Sequence, residues 1–154
     1  MILHHEFIKT AKRHPKKEAI ADRTTGKRLT YQRTLIAALI LARRIRHMPD
    51  CYIGIMVPTS AGSFLSVLGT VMTGKAPVMI NYSTGAADNC TYAQRKCGFT
   101  TIITSRALLE KINCPELPGM IFLEDILEQI GTLEKARAAL TPQLRANLLV
   151  RMVY

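Results

Sequence analysis

A chain of 154 residues, 48% hydrophobic and 21% charged, has the length and composition of one globular domain with a genuine core. Low-complexity tracts and internal repeats are absent, and no apolar run reaches the roughly 18 residues that a membrane-spanning helix needs. The formal charge of +10 is unevenly spread: residues 1–50 hold twelve Lys/Arg against four acids, residues 51–154 nine against seven.

In chain order, the opening Ile2 to His14 reads as a helix with Phe7, Ile8 and Ala11 on one side, ended by Pro15. It lacks the apolar stretch and cleavage site of a secretory signal, and Glu6 argues against a transit peptide. A short strand, Ala19 to Ala21, leads into the turn Thr24-Thr25-Gly26-Lys27. Thr30 can cap the next helix, whose Leu35, Ala38, Leu39 and Ala42 follow helical spacing. Next come a buried-type strand at Tyr52–Val57, a helix from Ser60 to Thr73 and a strand from Pro77 to Ile80. A helix from about Ala86 to Lys96 ends at Gly98, a residue suited to a C-terminal cap. The strand Thr101–Thr104, the short helix Arg106–Ile112, the strand Met120–Leu123 and a helix from Asp125 to about Leu140 follow. Strands 20 to 25 residues apart with helices between them predict an α/β fold: a doubly wound, mostly parallel sheet with helices on both faces. Residues 1–140 form that unit, and 141–154, opening on Thr141-Pro142, start a connecting helix that carries no stop signal, as if the chain were cut.

Few strings look like chemistry. Gly69-Thr-Val-Met-Thr-Gly74-Lys75 matches GxxxxGK, but Ala76 stands where a phosphate loop needs Ser or Thr. The order is also reversed, because Gly74 and Lys75 close a helix and precede a strand. On this reading Lys75→Ala changes stability little. His5-Glu6-Phe7-Ile8-Lys9 starts like HExxH and lacks the second ligand, and Cys51, Cys90, Cys97 and Cys114 form no CxxC pair, so free thiols and no metal are expected. No G-x-S-x-G elbow is present. The loop Asn81-Tyr82-Ser83-Thr84-Gly85 follows a strand's carboxyl end, where α/β sheets bind ligands, so Asn81, Tyr82, Ser83 and Thr84 are the candidate substrate contacts. The bland alternative is a turn that uses Asn and Gly for their backbone freedom.

The basic front could meet nucleic acid, anionic lipid or an acidic protein, or be a solvated helix face. Two aromatics there, Phe7 and Tyr31, are too few for a nucleic-acid stacking platform. Lys12, Arg13, Lys16 and Lys17 cluster around Pro15 and are the candidate partner surface.

Taken in order, Arg28-Leu29-Thr30-Tyr31, Ile53-Gly-Ile-Met-Val-Pro58 and Leu68-Gly-Thr-Val-Met-Thr-Gly-Lys-Ala-Pro-Val-Met-Ile-Asn81 resemble the N-terminal portion of the adenylate-forming (acyl-CoA synthetase-like) superfamily, over about residues 3–126. Asn81–Gly85 is most similar to acyl-(acyl carrier protein) synthetases, which are often fused behind a lysophospholipid acyltransferase. The resemblance implies a parent that uses ATP and magnesium to activate a fatty acid as an acyl-adenylate. The acyl group then passes to the thiol of acyl carrier protein or CoA. The implied location is cytoplasmic or at the inner face of the cell membrane. The family's Ser/Thr/Gly-rich phosphate loop ending in Pro-Lys-Gly does not occur in these residues, so no catalytic residue carries over and the chain alone is expected to be inactive. Where the family often has Glu in Leu-Thr-Tyr-x-Glu, this chain has Arg33, a cation at a helix start. A stand-alone flavodoxin-like regulatory or binding module is the alternative from another class.

Overall fold

A computed structural model describes residues 2–23, 25–126 and 128. The helices are α1 (Leu3–Arg13), α2 (Tyr31–Arg46), α3 (Ala61–Met72), α4 (Ala86–Cys97) and α5 (Arg106–Lys111). The strands are β1 (Glu18–Ala21), β2 (Arg28–Thr30), β3 (Tyr52–Ile55), β4 (Ala76–Met79), β5 (Ile102–Thr104) and β6 (Met120–Phe122). Helix returns at residues 123–126, so the last expected helix starts two residues before Asp125. Most of that helix, and the expected connecting helix 141–154, lie outside the described residues.

The sheet is parallel, in the order β4-β3-β5-β6. Strand β3 is central, with Ile53 and Ile55 fully buried. Pleating divides the core by alternation. Ile53, Ile55, Val57 and Ile103 face Leu41 and Ile45 of α2 on one side. On the other, Met56, Ile80 and Ile102 meet Cys90 of α4 and Leu108 and Leu109 of α5. Burying each such aliphatic side chain contributes roughly 1.5–3 kcal/mol. A third cluster joins α1, α2 and α3 through Ile8, Leu35, Leu39, Leu65 and Leu68. At the α2–α3 crossing, a Cβ on Gly69 would lie 3.1 Å from Leu41 Cγ and 3.2 Å from the Ala38 carbonyl oxygen. Glycine is there for close helix approach.

The anticipated α/β fold, with a parallel sheet flanked by helices, is present. One element was not anticipated. Arg28–Thr30 forms a strand antiparallel to β1, outside the main sheet. Arg28 reaches Glu18 at 2.9 Å across that hairpin. Three residues carry too little periodicity to announce a strand. Thr30, expected as a cap, does accept from the Arg33 amide at 3.4 Å, and Gly98 closes α4 with φ 68°.

Candidate functional site

The sheet's carboxyl edge is where its topology leaves room for ligands. The connection from β3 runs to β4 on one side, while that from β5 runs to β6 on the other. The ends of β3 and β5 therefore flank a topological switch point. Thr104 donates to the Met56 carbonyl at 2.9 Å and ties these two ends together.

The first turn of α3 opens at this edge, and side chains already occupy it. Ser60 accepts from the Ser63 amide at 3.3 Å. Asp22, 7% exposed, reaches in from the β1–β2 hairpin and accepts from the Ala61 amide at 2.9 Å. With these amides engaged and a carboxylate beside them, the start of α3 is closed to a phosphate. At the end of β5, Ser105 caps α5 through the Leu108 amide at 3.1 Å. Arg106 forks onto Asp125 at 2.6 and 2.9 Å while lying 4.1 Å above the Phe122 ring.

The candidate loop 81–85 is built as a turn. Asn81 Oδ1 accepts from the Ser83 amide at 3.0 Å and from the Ser83 hydroxyl at 2.5 Å. Asn89 then donates to the carbonyls of Asn81 at 3.0 Å and Thr84 at 2.7 Å, clamping the loop to α4. Tyr82 is half-buried against the α4–α5 core, while Ser83 and Thr84 are exposed. The structure thus brings Asn81, Tyr82, Ser83 and Thr84 to the carboxyl edge and spends the Asn81 oxygen on the turn.

GxxxxGK has a structural account. Lys75 lies at the sheet's opposite edge, where Nζ donates to the carbonyls of Met48 at 2.8 Å and Asp50 at 2.6 Å. These bonds revise the expectation that Lys75→Ala is nearly neutral. Lys75→Met, which keeps the aliphatic stem, is expected to lower unfolding free energy by about 1–2 kcal/mol. Urea denaturation would register this, and an unchanged midpoint would contradict it.

Asp50 completes the same edge, accepting from the Thr100 hydroxyl at 2.9 Å, the Thr101 amide at 2.9 Å and the Thr101 hydroxyl at 2.6 Å. Burial pushes its pKa up, but the bonds from Thr101 and Thr100 outweigh it, and the net shift is downward. A depressed folded-state pKa means stability present above about pH 4 and lost as pH falls through the folded value. The chain is therefore expected to lose stability more steeply below that point than Asp50→Asn, and parallel pH curves would contradict this.

All four cysteines are free thiols. Burial, then the neighbouring Cys114, pushes the Cys90 thiol up to about 11. A thiol reagent near pH 8 should label exposed Cys51 and Cys97 first, Cys114 more slowly, and Cys90 only on unfolding. Mass spectrometry of a labelling time course checks the order, and Cys90 reacting as fast as Cys51 would contradict it.

Lys12, Arg13, Lys16 and Lys17 are all exposed, at the end of α1 and in the turn after it. Sequence reasoning missed Asp22 and Asp50 as structural acids. Their one signal was isolation, since Asp22 is the only acid between Glu18 and Asp50. Among the described residues, no three His, Cys, Asp or Glu side chains converge as a metal site would require.

Comparison with known proteins places this arrangement. The model of the family described as AMP-binding enzyme matches residues 7–146. Among solved structures, a nonribosomal peptide synthetase, FmoA3 (S1046A), bound to alpha-methyl-L-serine-AMP, superposes with a TM-score of 0.70 at 19% identity, over 82% of this chain and 14% of that one. The inhibitor-bound N-terminal domain of FACL13 from Mycobacterium tuberculosis gives 0.67 at 18% identity, over 82% and 34%. A benzoate CoA ligase from Burkholderia xenovorans LB400 gives 0.68 at 19% identity, over 83% and 28%. At these identities the likeness is one of fold, and the chain spans 14 to 34% of the length of each of the three.

Proposed function

The chain belongs to the AMP-binding enzyme family, and from that membership we propose that it is the N-terminal structural piece of an ATP-dependent fatty acid:thiol ligase. In the proposed parent reaction, the fatty acid carboxylate attacks the α-phosphorus of ATP and expels pyrophosphate. The thiol of acyl carrier protein or CoA then attacks the acyl carbon, loses its proton and releases AMP. The observation carrying this reading is the family match across residues 7–146. Support for the finer assignment, an acyl-(acyl carrier protein) synthetase with an acyltransferase fused in the parent, comes from the similarity of Asn81–Gly85 to that group.

The described residues do not fit ATP or magnesium. At the carboxyl edge Asp22 is engaged with Ala61 and Asp125 with Arg106. Glu124 accepts from the Ala107 amide through one oxygen and keeps the other buried without a partner, and among the described residues no set of three donors converges around it. Catalysis is accordingly assigned to the remainder of the ligase domain. This chain contributes the sheet edge, and its clamped loop at Asn81, Tyr82, Ser83 and Thr84 borders the acid substrate.

The test is acid-dependent ATP–pyrophosphate exchange by the product of the natural reading frame, with fatty, amino and aryl acids compared. Exchange with fatty acids alone is expected. Exchange only with amino or aryl acids would overturn the substrate, and none with any acid would overturn adenylation. Offering carrier protein and CoA to the acyl-adenylate then identifies the acceptor.

A further inference from the structure

We propose that the turn after α1, joined to the start of α2, forms a docking surface for an anionic lipid bilayer. This deepens the reading above, which left the basic front without a defined partner.

The chain places the four clustered cations beside a fifth. The Gln32 amide donates to the Pro15 carbonyl at 3.1 Å and the Tyr31 amide to the Lys17 carbonyl at 2.9 Å. Those bonds seat the Pro15–Lys17 turn on the first turn of α2, so Arg33 joins Lys12, Arg13, Lys16 and Lys17 on one surface. That turn of α2 has no acid, so the positive end of its dipole adds to the same field.

The acids of the first fifty residues offset this field only in part, Glu6 attracting Arg13 as well as Lys9. Glu6 is paired with Lys9, Glu18 with Arg28, Asp22 with the Ala61 amide, and Asp50 with Thr100 and Thr101. None of the five cations forms a salt bridge among the described residues. Arg33 at a position that disfavours a cation is thereby accounted for as part of a patch.

A bilayer fits better than a folded acidic protein for three reasons. Residues 12–18 are exposed without a break, a continuous charged surface of the kind a diffuse anionic layer can meet along its length. Three of the five cations are lysines, point charges on flexible stems that suit a diffuse anionic surface more than bidentate pairing with carboxylates. Ile2 and Leu3, 51% and 63% exposed at the far end of α1 and about 15 Å along the helix from the cluster, offer aliphatic groups to the interfacial layer when α1 lies along the bilayer.

The experiment is sedimentation of the 154-residue chain with phosphatidylglycerol–phosphatidylcholine vesicles and with neutral phosphatidylcholine vesicles. Salt is raised from about 0.05 to about 0.5 M, where screening shortens to a few ångströms. Binding to the anionic vesicles alone, falling steeply with salt, is expected. A variant carrying Ser at 12, 13, 16, 17 and 33 should lose about fivefold in partitioning per cation removed. A charge-matched control with Ser for exposed Lys27, Arg43, Arg95, Lys96 and Lys111 should retain most of it, and circular dichroism checks that both fold. Equal partitioning of the two variants, binding indifferent to salt, or binding to polyglutamate or duplex DNA in preference to vesicles would overturn the proposal. None of these readouts involves ATP or acid activation, so this test and the exchange assay fail independently.

Discussion

Gly119→Ala is expected to destabilise the fold by more than about 4 kcal/mol, the largest effect of a methyl added at any of the described glycines. Gly119 holds φ 87°, and a Cβ built there would sit 2.1 Å from the carbonyl oxygen of Thr100. A real Cβ contact is about an ångström longer, and the obstruction is backbone that a rotamer change cannot relieve. Nor can the segment easily shift. The Gly119 carbonyl accepts from the Ile102 amide at 2.9 Å, and Gln94 donates to the carbonyls of Thr100 at 2.8 Å and Pro118 at 3.3 Å. The neighbouring strand would have to move, breaking the register of Ile102 against Met120. Gly74→Ala is the control, since Gly74 has φ 77° and nothing within 4 Å of its Cβ position. It incurs the backbone strain alone, about 1 kcal/mol. Urea unfolding of the two variants separates clash from strain, and equal losses would show that the β5–β6 contact is soft.

Asp22→Ala is expected to cost about 3 kcal/mol. The buried carboxylate bridges 39 residues of sequence to the Ala61 amide and also accepts from the Thr25 amide at 3.2 Å. Hydrogen bonds to a charged acceptor contribute more than neutral ones, and removing the acceptor leaves the Ala61 amide short of a partner. The dipole at the start of α3 adds to the stabilisation. Asp22→Asn, which keeps one acceptor oxygen, should cost about half as much. Hydrogen exchange locates the damage: protection should fall in the β1–β2 hairpin and first turn of α3, and persist in β3 and β5. A uniform loss, or no loss, would contradict the clamp.

Local signals made most of the fold legible before any coordinates. Ser60 before an apolar helix and Gly98 after one each marked a boundary to within a residue or two. Evenly spaced apolar runs at Ile53, Val78, Ile103 and Ile121 showed a parallel sheet, because strands buried on both faces need no alternation. Strand β2 escaped because its identity lies in pairing with β1, which three residues do not encode locally. The same holds for the polar clamps. Lys75, Asp50 and Asp22 act over separations of 25 to 51 residues, and a chain read in order does not show what meets across the sheet. The carboxyl-edge loop was legible in position through strand and turn chemistry. Its internal bonding, with Asn81 spent on Ser83, was not, because an Asn-x-Ser string reads the same whether it binds a ligand or caps a turn.

On the function proposed above, this chain supplies the scaffold of an acid-activating ligase and the chemistry belongs to residues outside it. The decisive measurement is pyrophosphate release by the purified 154-residue chain with fatty acid, ATP and magnesium. The first turn of α3 is occupied by Asp22 and Ser60, and Lys75 is committed to two carbonyls at the opposite edge. Release should therefore stay at the level of the protein-free blank for every chain length tried. Acid-dependent turnover by the chain alone would contradict the claim and would require an ATP site within the elements described here.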